Sequence, residues 1–324
     1  MTRSLRTAAF AIIALALAGS ALAQGTYPSR PISMVVGFQP GGGTDTVARI
    51  LAKNLGDALG QQVVVENKAG AGGNIATDYV AHAAPDGHVL LLGNVGSLAV
   101  APHIVANLPY DPLRDFAPIT MAVVFANVLV VQSSLPVHTL AEFVKLAREK
   151  PGTITYASAG IGGAGHLAGE LLKMMAKIDI VHVPYKGGGP AMQDMLGGQV
   201  ASFFATPVSV GGHIKSGKVR AIATTGPKRA DLLRDVPTVA ESGYPGYEAM
   251  NWYAYVAPAQ TPQDIIERLN REIVKALAAP EVVALLQKQG LEPSSSSPAE
   301  LARYIKSEYE TWGKVVKQAG IKAQ

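Results

Sequence analysis

Four short segments concentrate glycine where a helix is about to begin: Gly41–Gly43, Gly70–Gly73, Gly160–Gly165 and Gly187–Gly189. Glycine lets a ligand come close to the backbone. The first turn of a helix leaves N–H groups unpaired and carries the positive end of the helix dipole. Together these features can hold a carboxylate without an arginine or a lysine. One such turn is accounted for by a tight strand-to-helix loop; four in one chain point to a site. The candidate ligand contacts are Gly41, Gly42, Gly43 and Thr44 at the first turn, and Ser158, Ala159, Gly160, Gly162, Gly163 and Gly165 at the third. Asp45 has two readings, stabilising the helix dipole or serving as a polar group in the cleft. His166, which opens a helix beside the third turn, either caps that turn or touches ligand. Trp252 and Tyr253 are core residues by default, although one could wall a cleft.

Competing chemistries are poorly supported. Gly160-Ile161-Gly162-Gly163-Ala164-Gly165 fits a dinucleotide fingerprint, but the next strand ends Val183-Pro184-Tyr185, without the acidic residue that would hold a ribose. The run from Gly212 to Lys218 begins like a phosphate loop, yet Val219 stands where Ser or Thr would hold magnesium. The seven histidines show no metal-binding spacing, and no G-x-S-x-G elbow is present. With no cysteine in the chain, thiolate nucleophiles, disulfides and iron–sulfur clusters are excluded.

The glycine turns need strands before them and helices after them. Ile32 to Phe38 reads as a buried strand, followed by a helix from Thr44 with Val47, Leu51, Leu55 and Ala58 on one face. Val63–Glu66 and Val89–Gly93 are further strands, with a helix over Asn74–Ala83 between them. Strand, turn, helix, strand is the signal of a parallel sheet. The pattern restarts with a strand over Asn127–Val131 and a helix over Thr139–Lys150. Strands over Thr153–Ser158 and Ile178–Val183 follow, with a helix from His166 between them. A helix over Ala191–Leu196 and strands over Val200–Ala205 and Val219–Thr224 complete this run. A late strand, Trp252–Pro258, and helices over Pro262–Leu277 and Pro298–Gln318 close the chain. Two such runs suggest two lobes, the first discontinuous: residues 24–124 plus 250–324, and residues 125–249.

The chain of 324 residues is long enough for two domains, and its 48% hydrophobic content can supply their cores. Residues 1–23 read as a secretory leader: Arg3 and Arg6, an apolar stretch from Phe10 to Ala18, and Ala21-Leu22-Ala23 as a cleavage site. That stretch is too short for a membrane anchor. Removing the leader takes 28 basic residues to 26 against 24 acidic, and the net charge from +4 to +2. Such mild, scattered basicity does not suit nucleic-acid binding.

At these motifs the sequence resembles a known family. Tyr27-Pro28-Ser29-Arg30-Pro31-Ile32 and the run from Val36 to Arg49 are similar to the start of the Bug family of tripartite tricarboxylate transporter receptors. So are Val65-Glu66-Asn67-Lys68, Ala84-Pro85-Asp86-Gly87, Leu108-Pro109-Tyr110-Asp111-Pro112, the run from His182 to Gly189, and Asp235-Val236-Pro237-Thr238. The resemblance runs from about Tyr27 to the C-terminus. It implies an α/β, two-lobed periplasmic binding protein of the Venus-flytrap, type II-like class, each lobe a mainly parallel sheet flanked by helices. It implies a non-enzymatic monomer without a cofactor, which captures a small organic acid such as a di- or tricarboxylate or a phthalate-type diacid. Its partners would be the membrane permease subunits of a tripartite transporter; an exported receptor feeding a signalling partner is the alternative. The resemblance adds Phe38, Gln39, Ser97, Tyr185, Gly187 and Thr206 to the candidate contacts. Thr206 departs from the Asp or Asn of many relatives, which argues against a ligand bearing an ammonium group.

Overall fold

A computed structural model describes residues 27–318 and 320–321. The leader assigned to residues 1–23 lies outside the described residues. Strand β1 (Ile32–Val36) is buried along most of its length, as befits an uncharged run covered on both faces. Helix α1 (Gly43–Leu59) follows and turns Val47, Leu51, Leu55 and Leu59 to the core, a spacing of four that keeps them on one face. It stops at Gly60, whose left-handed backbone (φ 70°) lets its N–H close on the Gly56 carbonyl. β2 (Val63–Asn67), α2 (Asn74–Ala81) and β3 (Val89–Asn94) continue the chain. β1 pairs in parallel with both β2 and β3. A helical segment over 96–104 ends in α3 (Ala101–Ile104) and leads to β4 (Phe116–Ala126).

The chain then builds a second sheet. Its elements are β5 (Val128–Gln132), α4 (Leu140–Glu149), β6 (Ile154–Ser158), α5 (Ala164–Ala176) and β7 (Ile180–Pro184). α6 (Gly188–Leu196), β8 (Ser202–Ala205), α7 (Pro207–Lys215) and β9 (Val219–Thr224) complete it. β10 (Met250–Pro258) returns to the first sheet. It is followed by α8 (Gln263–Leu277), α9 (Pro280–Lys288), β11 (Glu292–Pro293) and α10 (Pro298–Gln318). The sheet orders are β11-β4-β10-β3-β1-β2 and β7-β6-β8-β5-β9.

The two-lobed α/β class stands, but both sheets are mixed rather than mainly parallel. Among the described strands the parallel pairs are β1–β2, β1–β3, β6–β7 and β6–β8. β10 runs antiparallel to β3 and β4, and β5 antiparallel to β8 and β9. Parallel neighbours need a crossover helix between them, whereas a strand arriving from the other lobe is free to run the opposite way. Both faces of the first sheet are covered. Met34 and Val36 pack among α1 and α8, while Val35 and Trp252 face the side closed by α10. There Leu301, Ile305, Trp312 and Val316 are buried, and Trp252 Nε1 donates to Glu308 Oε2 at 2.9 Å. Two helices of the second half begin earlier than their apolar periodicity predicts, α5 at Ala164 and α6 at Gly188. The glycines therefore form part of the helices' first turns.

Candidate functional site

The loops after β1, β6, β7 and β8 converge on one narrow cavity of about 40 Å³ between the two sheets. Four helices begin at it. Gly42 precedes α1, Gly163 precedes α5, Gly187 precedes α6 and Thr206 precedes α7, and none of the four caps its helix with a side-chain hydrogen bond. Gly42, Gly43, Thr44, Gly163, Ala164, Gly165 and Gly188 line the cavity, as do Phe38, Ala159 and Thr206. Several of these glycines are dictated by space. A Cβ on Gly43 would strike the Tyr253 hydroxyl, and one on Gly165 the Phe204 carbonyl. Among the described residues, none that lines the cavity carries a formal charge. The field there comes from unpaired backbone N–H groups and the positive ends of helix dipoles, which favour an anion.

The other candidates sit behind the loops. Asp45 accepts the Gly41 N–H at 2.9 Å, the Asn67 amide at 2.9 Å and the Arg49 guanidinium. Burial pushes its carboxyl upward, but the hydrogen bonds from Arg49, Gly41 and Asn67 outweigh this and hold it below the usual carboxylate range. Asp45 thus braces the first loop, with its charge already matched. In the second half, His166 Nδ1 accepts the Gly162 N–H at 3.1 Å, so the histidine caps that turn. Its ring stacks on His182 at 4.1 Å, and His182 stacks on Tyr156 at 4.9 Å. Ser158 Oγ lies 2.7 Å from His182 Nε2 and accepts the Gly160 N–H at 3.2 Å. Burial lowers both histidine pKa values, that of His182 to about 3, so the stack is neutral at pH 7. Tyr185 donates to Asp194 at 2.8 Å on its own side of the loop. Ser97 is buried; its N–H donates to Asn94 Oδ1 at 2.9 Å and its carbonyl accepts from Tyr110. Gln39, Gly41, Asp45, Ser97, Ser158, Gly160, Gly162, His166, Tyr185 and Gly187 do not line the cavity.

The sequence reading missed Asn94, Asn127, Asn251, Phe203 and Phe204, and it left Tyr253 between two roles. Tyr253 does wall the cavity, whereas Trp252 points into the core under α10. Asn127 and Asn251 lie where the chain passes between the sheets, and their amides meet at 3.4 Å. Thr44 Oγ1, Asn127 Nδ2 and Asn251 Oδ1 are buried and have no hydrogen-bond partner within the protein. Buried polar atoms are normally paired. Three unpaired ones around one cavity mark a place where a ligand or water supplies the missing bonds.

The lips of the cavity touch. The Gln39 N–H donates to the Lys186 carbonyl at 3.3 Å. A Cβ on Gly72 would strike the Ile161 carbonyl, and one on Gly96 would lie 3.0 Å from the Gly162 carbonyl. The two halves meet backbone to backbone along a seam of glycines.

Over residues 47–321 the chain matches the family described as "Tripartite tricarboxylate transporter family receptor". It is similar to protein BugT of Bordetella pertussis, with 40% identity over 323 residues and 99% of each chain covered. Two solved structures are also similar. One is an R. palustris protein with adipate, at a TM-score of 0.89 and 36% identity, covering 92% of this chain and 100% of that one. The other is MatC from Rhodopseudomonas palustris with bound malate, at a TM-score of 0.85 and 34% identity, covering 90% and 100%.

Proposed function

Because the chain belongs to the tripartite tricarboxylate transporter receptors, a family of solute-binding proteins rather than enzymes, we propose that it captures a small organic carboxylate in the cavity between its lobes and delivers it to the permease subunits of a membrane transporter. The observation that carries this reading is the convergence of four uncapped helix N-termini on a cavity lined by no charged side chain. A carboxylate there accepts hydrogen bonds from the amides near Gly43, Thr44, Ala164, Gly165 and Gly188, and from the Thr44 hydroxyl. Two neighbours in structure were solved with adipate and with malate, both dicarboxylates. Both support a small acid of the same type as the ligand of this chain.

Residues 24–124 with 250–324 form one lobe and residues 125–249 the other. A cavity of about 40 Å³ is tight for such an acid. The lobes therefore part to admit it and close over it, and the closed form is what the permease recognises. The protein works as a monomer in the periplasm after its leader is cut behind Ala23. Among the described residues no helix is long and apolar enough to cross a membrane.

A thermal-shift screen of residues 24–324 against citrate, C4 to C6 dicarboxylates, glutamate, nicotinate, benzoate and the phthalate isomers tests this. An acid at a hundred times its Kd should stabilise the protein by about 2.7 kcal/mol. No shift with any acid, in protein shown to be ligand-free, would contradict the reading.

A further inference from the structure

The loops that open α1 and α5 at the cavity are built alike. Gly41 and Gly162 both take a left-handed backbone, at φ 82° and 76°. An extended glycine follows each, Gly42 and Gly163, and then the helix begins. The third residue of each helix reaches back to the left-handed glycine. Asp45 Oδ2 accepts the Gly41 N–H at 2.9 Å, and His166 Nδ1 accepts the Gly162 N–H at 3.1 Å. One brace is thus made twice, once with a carboxylate and once with an imidazole. Asp45 is matched by Arg49 and Asn67, and these bonds keep it ionised, and accepting, well into acid. An imidazole nitrogen accepts only while it carries no proton. Protonation of Nδ1 turns the acceptor into a donor facing the Gly162 N–H.

Burial favours the neutral ring and holds the His166 pKa below the ordinary 6.5. The titratable groups packed around it are Glu170 and Lys173 on α5, His182 on β7, stacked at 4.1 Å, and Tyr156 on β6. The segment before β10 adds Tyr247, whose hydroxyl donates to the Ala168 carbonyl. β8, which reads Ser202-Phe203-Phe204-Ala205, adds none. Glu170 already accepts from the Tyr156 hydroxyl at 2.6 Å and from Lys173 at 2.9 Å, so it offers little to a charged His166. His166 does not line the cavity, but the turn it braces carries Gly163, Ala164 and Gly165 there. The same turn sets Gly162 and Gly163 against Gly96 of the other half. We infer, resting on the carboxylate reading above, that His166 is a positioning residue: its neutral ring holds the α5 turn in the form that receives a carboxylate, and its protonation loosens that turn and lowers affinity. Affinity is therefore full above the ordinary histidine range and falls as the pH drops through the pKa of His166, because the bound form disfavours that proton.

Calorimetric titration with malate, adipate and citrate, from about pH 8 to about pH 5, tests this. The carboxyls of these acids titrate too, so each profile is set beside that of His166→Asn, whose amide oxygen can take the place of Nδ1 and binds no proton. Over this range the affinity of wild type should fall about tenfold further than that of the variant. His166→Leu, which removes the acceptor, should bind about tenfold more weakly than wild type at pH 8, and His166→Asn should recover most of that loss. Should the Leu variant fail to fold, nitrogen NMR of ligand-free wild type gives a second reading: the Gly162 amide signal should move with the same midpoint as the His166 ring. Parallel profiles for wild type and His166→Asn would overturn the inference while leaving the carboxylate reading intact. So would an affinity that rises in acid relative to the variant, as for a charged His166 attracting the acid directly, or a Gly162 amide that does not follow the ring. If none of the three acids binds at pH 8, the carboxylate reading itself fails and this inference with it.

Discussion

Gly163 is the residue at which access can be separated from strain. Its φ of −68° is open to any residue, and the nearest atom to an added Cβ is the Gly160 carbonyl at 3.3 Å. In Gly163→Val the side chain stands over the first turn of α5 and keeps a carboxylate off its amides. Losing two charge-assisted hydrogen bonds weakens binding by about 100-fold, while the ligand-free melting temperature changes little. Titration of the variant beside wild type reads both. His182 gives a pH dependence. Its pKa is about 3 in the folded chain, against an ordinary value of 6.5. Between these values the unfolded chain binds more protons, so stability is complete above about pH 6.5 and falls as the pH drops towards 3. Melting curves from pH 4.5 to 8 should show this slope, and His182→Gln, which keeps an acceptor for Ser158, should make it shallower. At this scale three of the four glycine turns were legible as loops at the cavity, whereas Gly70–Gly73 lies outside its lining and puts Gly72 against Ile161 in the seam. Asn127 and Asn251 were not legible. Neither sits in a motif, and 124 residues separate them; only the return of β10 beside β4 makes them a pair.

Among the elements, the helical turn after β3 lies in the seam between the two halves. Gly96 has no positive φ, and a Cβ there would press on Gly162 and Gly163 of the other half. Valine at this position is a stiff wedge in the seam. Gly96→Val should weaken ligand binding about tenfold or more by opposing closure, with little change in the ligand-free melting temperature. Small-angle scattering should then show wild type contracting with ligand and the variant failing to do so; a variant that contracts equally would contradict this role. The βαβ units were plain in the sequence because buried parallel strands are unbroken apolar runs. β4 was missed because Pro118 interrupts its pattern and only Asn127 separates it from β5. Pairing with β10 absorbs the disturbance, through register shifts at Tyr253/Ala254 and Tyr255/Val256. α7 was missed because Gly211 and Gly212 lie in its middle, where helix propensity is low.

For the whole molecule, the proposed function makes the cleft an anion site built from backbone. The surface offers a contrasting place, the broad groove of about 1190 Å³ between α1 and the end of α8, where Arg49, Lys53 and Lys275 lie among Asp45, Asp57, Glu272 and Glu281 and where Arg49 and Lys53 already pair with Asp45 and Asp57. Basic side chains on an open surface attract anions weakly and lose that attraction in salt, whereas a buried nest of amides is little screened. The mild net charge of the sequence, +4, agrees with capture by geometry rather than by long-range attraction. The measurement that decides is a crystal structure of the mature protein with the acid that stabilises it most. A ligand carboxylate is expected within about 3 Å of the amide nitrogens at the starts of α1 and α5, with the lobes closed over it. A carboxylate ion-paired with lysine or arginine in the outer groove, with the central cavity holding only water, would contradict it.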